Sequence, residues 1–186
     1  MSAVPPPARR TDPERRDRII DAALEVIARD GVAGTSHRRV AAAADVPLGS
    51  MTYHFTGMDE LLDEAFTRFA DRAADGFADR FGAATSREEA VEAVVALLEQ
   101  DPLADAHDLV LTHELYTLAA RDPRYRRITE HWLERNHTTL TRHFDPTTAR
   151  IVDALIEGVT LHRALGAPRS RTTEAVEAVR RATRAG

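Results

Sequence analysis

The 186-residue sequence contains no cysteine, which excludes disulfides, cysteine-ligated zinc and thiol nucleophiles. Lysine is missing as well, so the basic charge is carried by 25 arginines, a bias that reads first as GC-rich coding. No apolar run approaches the roughly 18–20 residues that a bilayer-spanning helix needs, and the start of the chain lacks the apolar centre of a signal peptide. The expectation is a soluble cytoplasmic protein with no membrane partner. A net charge of −5 excludes a histone-like tail and argues against binding driven by bulk charge. There is no glycine-rich phosphate loop and no nucleophile elbow, which sets aside nucleotide-binding and hydrolase chemistry. No alternating Val/Ile/Thr run indicates a sheet.

What is present repeats at helical spacing almost throughout, so the fold class is all-α. Residues 1–11, with Pro5–Pro6–Pro7 and Arg9–Arg10, read as an extended arm. A first helix is expected over about Asp12–Asp30, capped by Thr11 or Asp12, opened by Pro13 and ended by Gly31; its stripe is Ile20, Ala23, Leu24 and Ile27. A short helix over Ser36–Ala43 follows, capped by Thr35 or Ser36. A tight turn at Ala44–Asp45–Val46 leads to another short helix over Pro47–His54. The long helix from Met58 to about Phe81 carries Leu62, Phe66, Phe69, Ala73 and Phe77 on one face for about six turns, too long to serve the head alone. Later helices are expected at about 87–100, 103–121, 123–143, 147–166 and 171–184, with Asp101–Pro102, Asp122–Pro123, Asp145–Pro146 and Ala167–Pro168 at the breaks. This gives an arm (1–11), a three-helix head (12–57) and a larger helical body (58–186).

Three helices with a turn between the second and third describe a helix-turn-helix. Val40, Ala41, Ala44 and Val46 are small enough for the two short helices to cross closely over Leu24 and Ile27. Met51 and Phe55 face inward, which offers Leu48, Gly49, Ser50, Thr52, Tyr53 and His54 to the outside. Hydroxyl, imidazole and small groups on a compact helix suit a major groove, and Arg38 can reach a guanine edge or a phosphate. A purely structural three-helix subdomain fits the same spacing, and the head is close to electrically neutral.

The residues decide more than the spacing. Gly31, Thr35, Val40–Ala41, Ala44, Val46, Gly49, Tyr53–His54–Phe55 and Leu61 stand in a segment that resembles the DNA-binding head of TetR-family transcriptional repressors. The resemblance covers about 50 residues closely; the body matches in helical layout. It implies base contacts from Arg38 and the outward residues of Pro47–His54, with Ser36 beside them and with His37, Tyr53 and His54 near phosphates. The partner implied is a double-stranded, pseudo-palindromic operator bound by a homodimer. Asp45 replaces the family's usual turn glycine, Thr52 a frequent aromatic, and Met58 a common phosphate-contacting lysine. The helix N-terminus at Met58 still offers amides and a positive dipole end to phosphate.

In the family, such a body binds a small effector and forms the dimer. Polar residues interrupt its apolar faces: His113 and Tyr116 in the 103–121 helix, Trp132 and Asn136 in the next, and His162 on the Val152–Leu155–Val159 face. Buried polar groups need partners, which a ligand or a neighbouring backbone group can supply. Phe66, Phe69 and Phe77 are core residues that double as candidate pocket walls, and the indole of Trp132 suits a planar ligand. The aromatic content points to a hydrophobic or aromatic effector. Leu155, Gly158 and Val159, with Val176 and Val179 on the terminal helix, form the candidate dimer interface; packing within one chain is the alternative.

Two other readings stay open. One is an all-α protein-interaction adaptor whose head no longer reads DNA. The other is a helical-bundle metal enzyme. His113–Thr117 opens like a zinc-binding HExxH but ends on Thr117. Glu134 and His137 give a single Glu-x-x-His, and no second copy exists. His131, His137 and His143 recur every six residues and so point to different faces. No catalytic residue, metal or cofactor is expected.

Overall fold

The computed structural model describes residues 14–100, 106–166 and 170–184. Among these residues there are nine helices and no strand: α1 (Arg15–Gly34), α2 (His37–Ala43), α3 (Gly49–His54), α4 (Met58–Phe81), α5 (Arg87–Gln100), α6 (Ala106–Ala119), α7 (Pro123–Leu140), α8 (Pro146–Ala164) and α9 (Ser170–Arg184). The arm, the expected caps at Thr11 and Asp12, Pro13, and the breaks at Asp101–Pro102 and Ala167–Pro168 lie outside the described residues. No helix among the described residues is long and apolar enough to cross a membrane.

The head is built from local signals. Gly31 takes a φ of 70°, ending the regular part of α1 before a last turn up to Gly34. Ser36 caps α2 by accepting the Arg39 N–H at 3.4 Å. Asp45 adopts a φ of 53°, and the Val46 N–H reaches back to the Ala41 carbonyl at 3.0 Å. With the Asp45 N–H directed at the Ala42 carbonyl, this closes α2 as a Schellman turn. α3 starts at Gly49, two residues later than its Pro47 start in the sequence reading, because the Ser50 and Met51 amides close tight i→i+3 bonds to Pro47 and Leu48.

In the body, two of the Asp-Pro pairs start helices. Asp122 accepts from the Arg124 N–H at 2.8 Å, and Asp145 accepts from the Thr147 and Thr148 amides at 3.0 and 3.1 Å; proline fills the first helical position after each. α6 and α7 stop short of their expected ends, at Ala119 and Leu140.

Two apolar cores result. The first joins α1, α2 and α3 to the early part of α4, to Leu111, Leu115 and Ala119 of α6, and to Tyr125 and Ile128 of α7. α1 therefore buries Ile19, Ala22 and Val26 in addition to its expected stripe. The second gathers Phe77 and Phe81 of α4 with α5, Leu140, Phe144, α8 and α9. Arginine–aspartate pairs lace α4 to its neighbours: Arg68 holds Asp17 and Asp21, Arg72 meets Asp21 at 2.8 Å, and Arg135 meets Asp71 at 3.0 Å.

Candidate DNA interface and effector cavity

The short helix α3 presents its outer side to solvent. Leu48 is 55% and Tyr53 79% exposed, large values for an apolar and an aromatic residue with no packing partner to gain. Pro47, Gly49 and Thr52 are exposed beside them, and the His54 ring stacks edge-on against Tyr53 at 4.8 Å. Gly49 has open space where a Cβ would stand, so that surface admits close approach. Ser50 is a correction to the sequence reading. It is 8% exposed and, with Met51 beside it, makes up the buried side of the short α3.

The two arginines of α2 are unlike each other. Arg39 donates to Asp30 at 3.1 Å and to the Gly34 carbonyl at 2.9 Å, which ties it to the end of α1. Arg38 is exposed and makes no hydrogen bond or ion pair among the described residues, so its guanidinium is available to a ligand. Ser36 stands exposed next to it and His37 is half-buried. The expected phosphate site at the start of α4 is altered. Glu60 reaches back to the Thr56 N–H and hydroxyl, both at 2.6 Å, and those hydrogen bonds pull its carboxyl below the usual range. A fixed carboxylate therefore shares that helix end with any phosphate.

The body holds a cavity of about 260 Å³ between α4, α5, α6, α7 and α8. Phe69, Phe77, Trp132 and Ile156 give it apolar walls; Thr112, Asn136, Asp153, Glu157 and Thr160 give it polar ones. Phe69 and Trp132 pack edge to face at 5.8 Å, and Tyr116 stands 6.2 Å behind the indole. The Tyr116 hydroxyl donates to Glu157 at 3.0 Å; burial and that carboxylate raise the phenol above its ordinary range. Burial, and then Glu157 one turn along α8, push Asp153 up to about 6. The Thr112 hydroxyl and the Asn136 carbonyl oxygen are buried with no partner among the described residues. No group of three metal-ligating side chains converges among those residues.

The cavity gathers Phe69, Phe77, Trp132 and Asn136 of the sequence candidates. Phe66 lies deep in the first core, edge-on to Tyr125 at 6.0 Å and away from the cavity wall. His113 turns its Nδ1 onto the Leu109 carbonyl at 2.7 Å. His162 is exposed on the far side of α8. The inward face of α8 is Ala149, Val152, Asp153, Ile156 and Thr160; of the expected Val152–Leu155–Val159–His162 face it keeps only Val152. Arg72, Asp108, Asp153 and Glu157 were missed because charged residues on an amphipathic helix read as its solvated face.

Of the dimer candidates, Val179 is a correction: it is fully buried in its own chain's second core. Leu155, Val159 and Val176 are half-buried against that core, and Gly158 is half-buried too. The outer side adds two residues the sequence reading missed, Ile151 of α8 at 45% exposure and Leu165, the residue that caps α8, at 66%. With Leu155, Gly158 and His162 they follow a three-four spacing along one face.

Known proteins carry the same combination of head and body. Residues 19–65 match the model of the bacterial regulatory proteins of the tetR family, and residues 85–185 match that of the tetracyclin repressor-like C-terminal domain. A transcriptional regulator from Streptomyces coelicolor A3(2) is 53% identical, with a TM-score of 0.83 over 92% of this chain and 99% of that one. The multidrug binding protein EbrR, solved with ethidium, is 37% identical, with a TM-score of 0.75 over 91% of this chain and 98% of that one. The nicotine-responsive transcriptional repressor HdnoR of Paenarthrobacter nicotinovorans is 38% identical over 73 residues, 36% of this chain and 38% of that relative's length. A helix-turn-helix with an outward α3, set on a helical body that encloses a cavity and matched along both parts, makes this chain a member of the TetR family of bacterial regulatory proteins.

Proposed function

We propose that the chain is a transcriptional repressor that grips a pseudo-palindromic operator as a homodimer in the cytoplasm. It lets go when a small hydrophobic or aromatic effector fills the body cavity. The observation that carries this reading is the double duty of α6. Thr112 and Asp108 of this helix line the cavity, while its Leu111, Leu115 and Ala119 sit in the core shared with the head. The Glu114 carboxylate lies against Gly31, only 2.6 Å from where a Cβ would be. Arg72 of α4 likewise lines the cavity and holds Asp21 of α1. A ligand that re-seats α4 or α6 therefore moves α1, and with it α2 and α3. It favours release only if it binds the shifted state better.

On the DNA side, Arg38 reads a base edge, while Pro47, Leu48, Gly49 and Thr52 face the groove and Ser36, His37, Tyr53 and His54 flank the phosphates. Ser50, turned inward, supports the helix instead. The outer face of α8, from Ile151 to Leu165, packs against its copy about a twofold axis. Two recognition helices then meet successive major grooves about 34 Å apart. Ethidium in EbrR and nicotine-responsiveness in HdnoR support an aromatic effector here. The test is a selection of genomic fragments by the full chain at physiological salt. Recovery of an inverted repeat with half-sites about one helical turn apart is expected. Recovery of random fragments would overturn the operator reading and favour an adaptor.

A further inference from the structure

The recognition helix α3 is six residues long, too short to hold its own direction, so its neighbours must set it. It buries Ser50 and Met51, and Phe55, the residue that ends it, is 2% exposed. Three elements meet at this exit. The Arg16 guanidinium of α1 lies over the Phe55 ring, 5.0 Å from its centre. Glu64 of α4 accepts a hydrogen bond from the same guanidinium. One turn earlier on α4, Glu60 holds the next residue of the exit, accepting from the Thr56 N–H and hydroxyl at 2.6 Å each. Those hydrogen bonds keep the Glu60 carboxyl below its usual range, and the positive charge of Arg16 pulls the same way.

Arg16 makes no other hydrogen bond or ion pair among the described residues. Its side chain is 41% exposed and that of Glu64 26%, so the pair is partly shielded from solvent and from salt. A planar guanidinium laid on a ring and paired at its edge has a fixed orientation, which a flexible ammonium would lack. The other ion pairs between α1 and α4, from Arg68 and Arg72 to Asp17 and Asp21, reach neither α3 nor its exit. From Phe55 the rings continue outward: His54 stands 6.4 Å from Phe55, and Tyr53 4.8 Å from His54. A tilt of Phe55 therefore swings the two side chains that the operator reading sets beside phosphates.

We propose that Arg16 is a positioning residue for DNA recognition. Held by Glu64, it fixes the direction of α3 through Phe55 and touches neither base nor phosphate. This rests on the operator reading above and adds a residue that reading does not use.

The full chain is compared with Arg16→Gln and Glu64→Gln in two ways. Without DNA, amide hydrogen exchange followed by NMR reads the Phe55 N–H, which donates to the Met51 carbonyl at 2.9 Å. This amide is expected to exchange about tenfold faster in Arg16→Gln and about threefold faster in Glu64→Gln. The buried Ile27 of α1 should exchange as in the parent chain, which shows that both variants fold. On DNA, titrations against the operator selected by the parent chain and against random DNA are run at several salt concentrations. Operator affinity is expected to fall by about the same factors, with random-DNA affinity within about twofold and the salt slope unchanged. Glu64→Gln is the sharper arm, since losing a carboxylate would on charge alone tighten binding to any DNA. An equal loss on both DNAs with a shallower salt slope in Arg16→Gln would make Arg16 a phosphate contact and overturn the proposal. Faster exchange with operator selectivity intact would leave the clamp a stabilising element only and overturn it too. A parent chain that selects no operator removes the operator reading by itself. Phe55 exchange then decides the clamp without DNA: unchanged rates in both variants overturn it, and faster rates uphold Arg16 as the residue that fixes α3.

Discussion

The first core, around Phe66 and Leu115, and the second, around Leu98 and Val152, do not meet along α4: between Phe69 of the first and Phe77 of the second lies the cavity. Buried groups follow the same division. Apart from Arg15 and His37, the first core's own helices in the head are satisfied by local caps and turns, while Thr112 and Asn136 face the cavity without partners. Dense packing transmits displacement, and an incompletely satisfied space responds to whatever fills it. The comparison teaches where each function can reside. A rigid unit that spans head, α6 and α7 can hold α3 in register, and a gap beside that unit can disturb it.

The largest test of this contrast is a pair of truncations on α4. Phe66→Ala is expected to cost about 3–5 kcal/mol, since the ring is fully buried among α1, α6 and α7 residues. Phe69→Ala should cost about half as much, because one side of that ring already faces the cavity. Urea unfolding of both variants checks the difference; equal costs would mean that the gap is closed in solution.

Next comes the pair of arginines on α2. Arg38→Ala is expected to lose about 1–3 kcal/mol of operator affinity and to relax discrimination at one base pair per half-site. Arg39→Ala should instead lower thermal stability slightly, within the ~0–1 kcal/mol of an exposed ion pair, because its guanidinium serves Asp30 and Gly34. Operator titrations against single-base variants separate the two; a uniform loss on all sequences for Arg38→Ala would make it a phosphate contact.

A smaller effect concerns acidity. The groups facing Asp153 are Glu157 on its own helix, Tyr116 and Asp108 on α6, His137 on α7, and Arg72 and Arg80 on α4. Its folded pKa of about 6 lies above the ordinary 3.8. Between those values the folded chain keeps a proton that the unfolded chain has released. This group's contribution is therefore best below about pH 4 and is lost as pH rises through 6. Asp153→Asn should then stabilise the ligand-free chain by about 1 kcal/mol at pH 7, with partial solvent screening allowed for, and should bring no gain at pH 4. Thermal melts at the two pH values check the sign.

The last expected effect, of similar size, is at the seam between head and body. Gly31→Ala places a Cβ on a residue with a φ of 70° and against the flexible end of Glu114, for a cost of about 1 kcal/mol and a fall of a few degrees in Tm.

Much of this was legible in the sequence where a signal is local. Ser36, Gly31 and the Asp45 turn were readable from capping and turn chemistry, and α4 and α5 came out at Met58–Phe81 and 87–100. Phase was less legible. α3 has too few turns to fix which way Ser50 points. α8 carries two competing stripes, and the buried one is disguised by Thr148, Asp153 and Thr160. Thr160 hides its polarity by donating to the Ile156 carbonyl at 2.8 Å, which a residue count cannot reveal. Trp132 and Asn136 stood out as interruptions of an apolar face and Phe69 and Phe77 as an apolar stripe, whereas the cavity's carboxylates looked like ordinary surface.

The most direct test of the central claim is a salt-varied titration of the full chain on DNA from around its own gene, with random DNA of equal length beside it. Binding should be about a thousandfold or more tighter on the selected site, with a steep fall in affinity as salt rises, since a dimer displaces counterions at every phosphate it neutralises. Equal, weak binding to both DNAs, followed by failure to select any fragment from the whole genome, would contradict a DNA-reading head.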